Sequence, residues 1–82
     1  MKKKRYCIVI GNSSGANSVY KGGGTHYGPY NYRSSATRAL HNRDWHGFED
    51  GEWIKLSPSP LIAIIVPLEK GTVVKKGLPK SN

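Results

Sequence analysis

Acidic residues are missing from the first 43 positions of this 82-residue chain. The same stretch carries eight lysines and arginines, and the whole chain has 13 basic against 5 acidic residues, for a formal charge of +8. A small protein with this surplus attracts polyanions such as nucleic acids through its overall electrostatic field. The composition therefore favours an anionic partner.

Cysteine is almost absent, since Cys7 is the only one. A disulfide within the chain is excluded, and a single thiol inside the apolar run 6–10 is typical of a protein from a reducing compartment. Long hydrophobic runs are also lacking, because the longest aliphatic stretch, residues 61–66, is far too short to span a membrane. We expect a cytoplasmic protein with no membrane contact.

Signature motifs for nucleotides, metals and catalysis are lacking as well. Gly11 and Gly15 stand one residue too close for a phosphate-binding loop, and no lysine directly follows Gly15. The three histidines and Cys7 show no spacing typical of zinc ligands. His41 and Asp44 lie close in sequence, but a chain of this size rarely builds the concave, dry site that acid–base catalysis needs. We predict a binding protein without catalytic activity, cofactor or metal.

Hydrophobic patterning predicts one small α+β domain over residues 5–75, between a flexible basic arm (1–4) and a flexible tail (76–82). Apolar residues 36, 39 and 40 recur at helical spacing and predict one short helix over 35–43, capped by Ser34 or Ser35. Apolar runs predict strands at residues 5–10, 52–56, 61–66 and 72–75. The strands would form a small antiparallel sheet, or an open β-barrel, of about four to five strands.

Residues 11–33 are predicted to form a long Gly/Tyr-rich loop, since they contain six glycines and four of the five tyrosines. A loop of this length in a compact domain is usually functional or disordered. Alternatively, a short hairpin in this segment would pair residues 18–20 with 25–27 across the glycine triplet.

Aromatic rings interleaved with positive charge make this segment and the following helix a candidate nucleic-acid interface. Tyrosine faces can stack on bases, which is worth about 1–3 kcal/mol per base, and lysines and arginines can neutralise phosphates. The alternative for the tyrosines is that they close a small core. We predict that a Tyr/Arg-rich loop and a basic helix bind nucleic acid, either a single strand or RNA. The sequence does not distinguish DNA from RNA. The predicted interface residues are Lys21, Tyr27, Tyr30, Tyr32, Arg33, Arg38 and Arg43.

Two other functions stay open at this point. The chain could be a protein-interaction module, for instance an inhibitor that docks on an acidic partner protein, with Trp45 exposed in the contact. It could also be an oligomer that captures a small phosphorylated ligand with its glycine-rich segment. Trp53 is expected to belong to the core, whereas the sequence does not place Trp45.

Overall fold

In the computed structural model, which describes residues 5–12, 14, 16–21, 23–47, 52–55 and 60–78, the chain forms a five-stranded sheet and two helices. The strand order is β2-β1-β5-β4-β3, with all neighbours antiparallel. The α+β class with a small antiparallel sheet is thus confirmed, and the sheet is open. The elements are β1 (Tyr6–Asn12), α1 (Ala16–Tyr20), β2 (Thr25–Tyr30), α2 (Arg33–Asn42), β3 (His46–Gly47), β4 (Glu52–Lys55) and β5 (Leu61–Pro67).

β1 lies inside the sheet because its side chains are apolar on both faces. Ile8 and Ile10 belong to a core beneath α2, whereas Cys7 and Val9 belong to a second core on the opposite side, beside α1. These two sides of the sheet are called the α2 face and the α1 face. β1 pairs with β5 along its whole length and with β2 at its other edge, so its backbone groups are bonded on both sides.

α2 is anchored to the sheet by two fully buried side chains. Ala36 and Leu40 pack in one cluster with Ile8, Ile10 and Ala63. Burial of a leucine side chain contributes about 1.5–3 kcal/mol, so Leu40 is a main anchor of the helix. The helix begins at residue 33, earlier than predicted, and its N-cap is residue 32, which makes no side-chain capping hydrogen bond. The prediction of a cap at residue 34 or 35 is therefore wrong.

The C-terminus of α2 is closed by a Schellman motif. The Asp44 N–H donates to the His41 carbonyl at 3.2 Å, and the Trp45 N–H donates to the Leu40 carbonyl at 3.1 Å. Asp44 has a φ of 64°, the left-handed conformation that this motif requires. The turn directs Trp45 back into the core with Leu40, where the indole is 4% exposed. Trp45 is thus a core residue.

The long loop predicted over residues 11–33 is not confirmed. The segment contains the end of β1, the five-residue helix α1 and the strand β2, so residues 18–20 are helical rather than part of a hairpin. Gly11 allows α1 to approach β1, because a β-carbon at this position would lie 2.5 Å from a γ-carbon of Val19. Val19 is 2% exposed and completes the core of the α1 face with Cys7, Val9 and Ile62.

A β-bulge in β2 changes the direction of its side chains. Tyr6 pairs with Tyr30 and Ile8 pairs with Tyr27, so β2 contains one residue more than β1 between these two pairs. In a regular strand, residues three apart point to opposite faces. Here Tyr27 and Tyr30 both pack against the core of the α2 face.

The segment after β5 passes round the outer edge of β2. Val74 packs in the core of the α1 face, and Leu78 is 7% exposed in the core of the α2 face. Between them, the Lys75 N–H donates to the His26 carbonyl and the Lys75 carbonyl accepts the Gly28 N–H, both at 2.9 Å.

The strand predicted at 72–75 is reduced to this bridge at residue 75. Of the tail predicted at 76–82, residue 78 packs in the core, whereas the predicted arm (1–4) and residues 79–82 lie outside the described residues. Within the described part of the chain, no helix is long and apolar enough to cross a membrane.

The left-handed residue of the Schellman motif gives a test of the α2 C-terminus. Asp44→Gly should raise the free energy of unfolding in urea by about 0.5–1 kcal/mol, because glycine adopts this conformation without a steric penalty. Asp44→Val should lower it by about 1–2 kcal/mol, because a β-branched side chain is disfavoured there. Equal stability of the two variants would contradict this account of the turn.

Candidate nucleic-acid interface

The outer side of α2 forms one wall of an open groove beside the sheet. Its lining residues on α2 recur three and four positions apart, a spacing that places them on one side of the helix, next to the buried stripe. The opposite wall is an indole from β4, and the groove has a volume of about 580 Å³. No carboxylate is found among the described residues that line it. This α2 groove is lined by Arg33, Ser34, Thr37, Arg38, His41 and Trp53.

Trp53 reaches the groove because its neighbours in the sheet are small. It pairs with Gly47 on β3 and with Ala63 on β5, so neither neighbouring strand presents a bulky side chain beside the indole. A β-carbon at residue 47 would lie 3.6 Å from the Trp53 ring. The indole is half-buried, packs against the core of the α2 face, and also lines the groove. Trp53 is therefore a boundary residue between the core and the groove.

Arg33 is held at one end of the groove by an aromatic ring. Its guanidinium carbon lies 5.2 Å from the centroid of the Tyr6 ring, within the range of a cation–π interaction. The residue before it, Tyr32, is 58% exposed and is one of the largest exposed aromatic surfaces in the described chain. Arg38 is exposed one and a half turns further along α2. Two guanidinium groups thus line the groove, and an exposed phenol ring adjoins the first of them in sequence.

Tyr30 and Arg43 form a separate, half-buried pair that does not line the groove. Burial raises the pKa of the Tyr30 hydroxyl above its usual range, and the positive charge of Arg43 partly offsets this increase. The Arg43 Nε is buried without a hydrogen-bond partner in the described part of the chain, and the Arg43 carbonyl accepts a hydrogen bond of 3.0 Å from the Lys55 Nζ. Arg43 is thus held by the Lys55 hydrogen bond, with part of its guanidinium group buried.

The structure separates the seven residues predicted for the interface. Two of them line the α2 groove (Arg33 and Arg38), and Tyr32 is exposed beside it. The remaining four lie elsewhere: half-buried tyrosines of β2, a half-buried arginine after α2, and a lysine on the opposite face of the sheet. These four are Tyr27, Tyr30, Arg43 and Lys21.

Three polar residues of the helix and Trp53 belong to the groove although they were not among the predicted interface residues. His41 lies three positions after Arg38, a spacing that places both on one side of a helix. The position of His41 beside Arg38 could therefore be predicted from the sequence. Trp53 was expected in the core, and its half-buried position is consistent with that only in part. Its exposure to the groove depends on small residues in two other strands, which no local pattern reveals.

Comparisons with known proteins add no functional information, because no family model, no curated protein and no solved structure matches this chain. In the described part of the chain, no group of three or more His, Cys, Asp or Glu side chains is arranged to hold a metal ion. The chemistry of the groove therefore comes from its guanidinium, imidazole, hydroxyl and indole groups.

The burial of Tyr30 predicts a loss of stability in alkali. A phenol whose pKa is raised by folding contributes stability that is fully present below about pH 10 and is lost as the pH rises through its folded pKa. We expect urea unfolding to show a smaller alkaline loss for Tyr30→Phe than for the unaltered protein. Tyr32→Phe, which removes an exposed hydroxyl, is the control and should leave the loss unchanged. Identical profiles for the two variants would contradict the assignment.

Proposed function

We propose that this chain is a small nucleic-acid-binding protein without catalytic activity, and that the α2 groove receives a single-stranded segment of RNA or DNA. One observation carries the proposal: Arg33, Arg38 and His41 line the same open groove as the indole of Trp53. Cationic groups beside an aromatic face are the combination that single-stranded nucleic acids require, since they offer both phosphates and unpaired bases.

The guanidinium groups supply the phosphate contacts. Arg33 and Arg38 lie five residues apart on α2, which corresponds to about 7.5 Å along the helix axis. Because both side chains line one groove, they can contact different phosphates of the same strand. Ser34 and Thr37 lie between them in the groove lining and carry hydroxyl groups. Sequence-independent contacts of this kind set affinity rather than base preference.

The indole of Trp53 and the phenol of Tyr32 supply stacking surfaces. Trp53 is fixed by its contact with the core, so little conformational entropy is lost when a base stacks on it. Such a surface accepts a base only if the face of the base is free, as in a single strand or an RNA loop. A paired duplex hides these faces, and among the described residues α2 has no companion helix of the kind found in helix-turn-helix readers of the major groove.

A matched pair of charge variants tests the phosphate contacts. In anisotropy titrations of a labelled single strand, Arg38→Gln should weaken binding and lower the slope of log affinity against log salt by about 0.7, the value for one lost phosphate contact. Lys21→Gln removes the same charge from the α1 face and should leave the slope unchanged.

If the two substitutions changed the affinity and the salt slope equally, the protein would attract the strand by its net charge alone. That result would contradict the assignment of the α2 groove as the interface. Binding of an acidic peptide with the same Arg38 dependence, but none of a single strand, would instead identify an acidic protein as the partner.

Tryptophan fluorescence tests the stacking surface. We expect a single-stranded oligonucleotide to quench the emission of Trp53, and Trp53→Leu to weaken binding by about 5- to 100-fold, the equivalent of one stacked base. Trp45→Phe is the matched control, because Trp45 is buried in the core and should not contact the ligand. Quenching that persists in Trp53→Leu would exclude the proposed stacking.

A further inference from the structure

The hydroxyl group of Thr37 has a fixed role in the α2 groove. It donates a hydrogen bond to the Arg33 carbonyl, one turn earlier in α2, over an oxygen–oxygen distance of 3.1 Å. A threonine hydroxyl has one proton and two lone pairs, so an oxygen whose proton is already engaged can only accept a further hydrogen bond. Thr37 therefore presents an acceptor to a ligand in the groove.

The other groups of the groove lining can all donate. The guanidinium groups of the two arginines and the indole of Trp53 donate hydrogen bonds but do not accept them. The Ser34 hydroxyl and the His41 imidazole can donate as well as accept, and no carboxylate is found among the described residues of the lining. A ligand that matches this groove consequently offers acceptors along most of its length and one donor at Thr37.

Thr37 lies on the inner part of the helix wall, closest to the sheet. It is half-buried, whereas the other four lining residues of α2 are exposed. It directly follows the fully buried Ala36, and in sequence it stands between Arg33 and Arg38. A strand whose phosphates contact the arginines and whose base stacks on Trp53 has its sugar between these contacts, because the sugar joins phosphate to base. The sugar is therefore the part of the ligand that faces Thr37.

We propose that the α2 groove selects RNA over DNA, with the ribose 2′-hydroxyl donating a hydrogen bond to the Thr37 Oγ1. This inference rests on the proposed function and narrows its substrate class. The 2′-hydroxyl is the group by which a protein distinguishes RNA from DNA, and it carries the proton that Thr37 requires. A deoxyribose has only C–H groups at this position, and a phosphate oxygen would place its lone pairs against those of Thr37.

The experiment compares three single strands of equal length in anisotropy titrations of the full chain: oligouridine, oligodeoxyuridine and 2′-fluoro-oligouridine. Uracil has no amino group, so an exocyclic base amine cannot replace the 2′-hydroxyl as the donor. The 2′-fluoro strand keeps the sugar conformation of RNA but has no proton to donate, which separates hydrogen bonding from strand conformation. We expect the ribose strand to bind about 2- to 10-fold more tightly than either of the others, as for one neutral hydrogen bond.

The variant Thr37→Val assigns the contact to one oxygen. Valine is similar to threonine in shape and helix propensity, so it removes Oγ1 with little effect on α2. The substitution should remove the advantage of the ribose strand over the 2′-fluoro strand. Thr72→Val, the same change on the α1 face, is the matched control and should preserve that advantage. An advantage that survives in Thr37→Val would contradict the assigned contact.

The outcomes distinguish this inference from the proposed function. If the three strands bind equally and all depend on Arg38, the groove holds single strands without reading the sugar, and only the selection of RNA is overturned. If none of the strands binds, the proposed function is overturned and the selection of RNA with it.

Discussion

The enclosure of β1 on both faces and both edges is the constraint on which the rest of the structure depends. Three successive residues of this strand, Cys7, Ile8 and Val9, are 1%, 0% and 0% exposed. Alternate side chains of β1 pack beneath α2 on one face and beside α1 on the other. The backbone groups of β1 are hydrogen-bonded to β5 at one edge and to β2 at the other. The two helices therefore lie on opposite faces of one strand, and the α2 groove lies between α2 and Trp53 of β4.

The β-bulge in β2 determines which aromatic rings remain available for a ligand. Because Tyr27 and Tyr30 turn to the same face, both are used to seal the core under α2. Tyr6 lies opposite Tyr30 and holds the Arg33 guanidinium. Among the described residues, Tyr32 is exposed and Trp53, from a distant strand, lines the α2 groove.

Local periodicity was sufficient to predict β1, β5 and α2, because each carries several apolar residues at the spacing of its own element. It failed for residues 11–33, where α1 is only five residues long and Val19 supplies its contact with the core of the α1 face. β2 contains Gly28 and Pro29, which disfavour a strand, and it exists because β1 offers a free edge for pairing.

The same distinction applies to the candidate sites. Arg33 and Arg38 stay together because both belong to α2, whereas Lys21 lies in the segment predicted as one Gly/Tyr-rich loop. The sheet places Lys21 on the other face. Trp53 lines the groove because its two partners in the neighbouring strands, Gly47 and Ala63, are small. These three residues become neighbours only when the strands pair.

The segment that crosses the outer edge of β2 has a consequence for self-association. Exposed strand edges are templates on which further chains can add. Here Lys75 occupies that edge, and freeing it would also withdraw the half-buried Val74 and the buried Leu78 from two different cores. Loss of the Leu78 burial alone costs about 1.5–3 kcal/mol. This edge of the sheet is thereby protected against edge-to-edge polymerisation, because a second chain could pair with β2 only after both hydrophobic cores had lost a side chain.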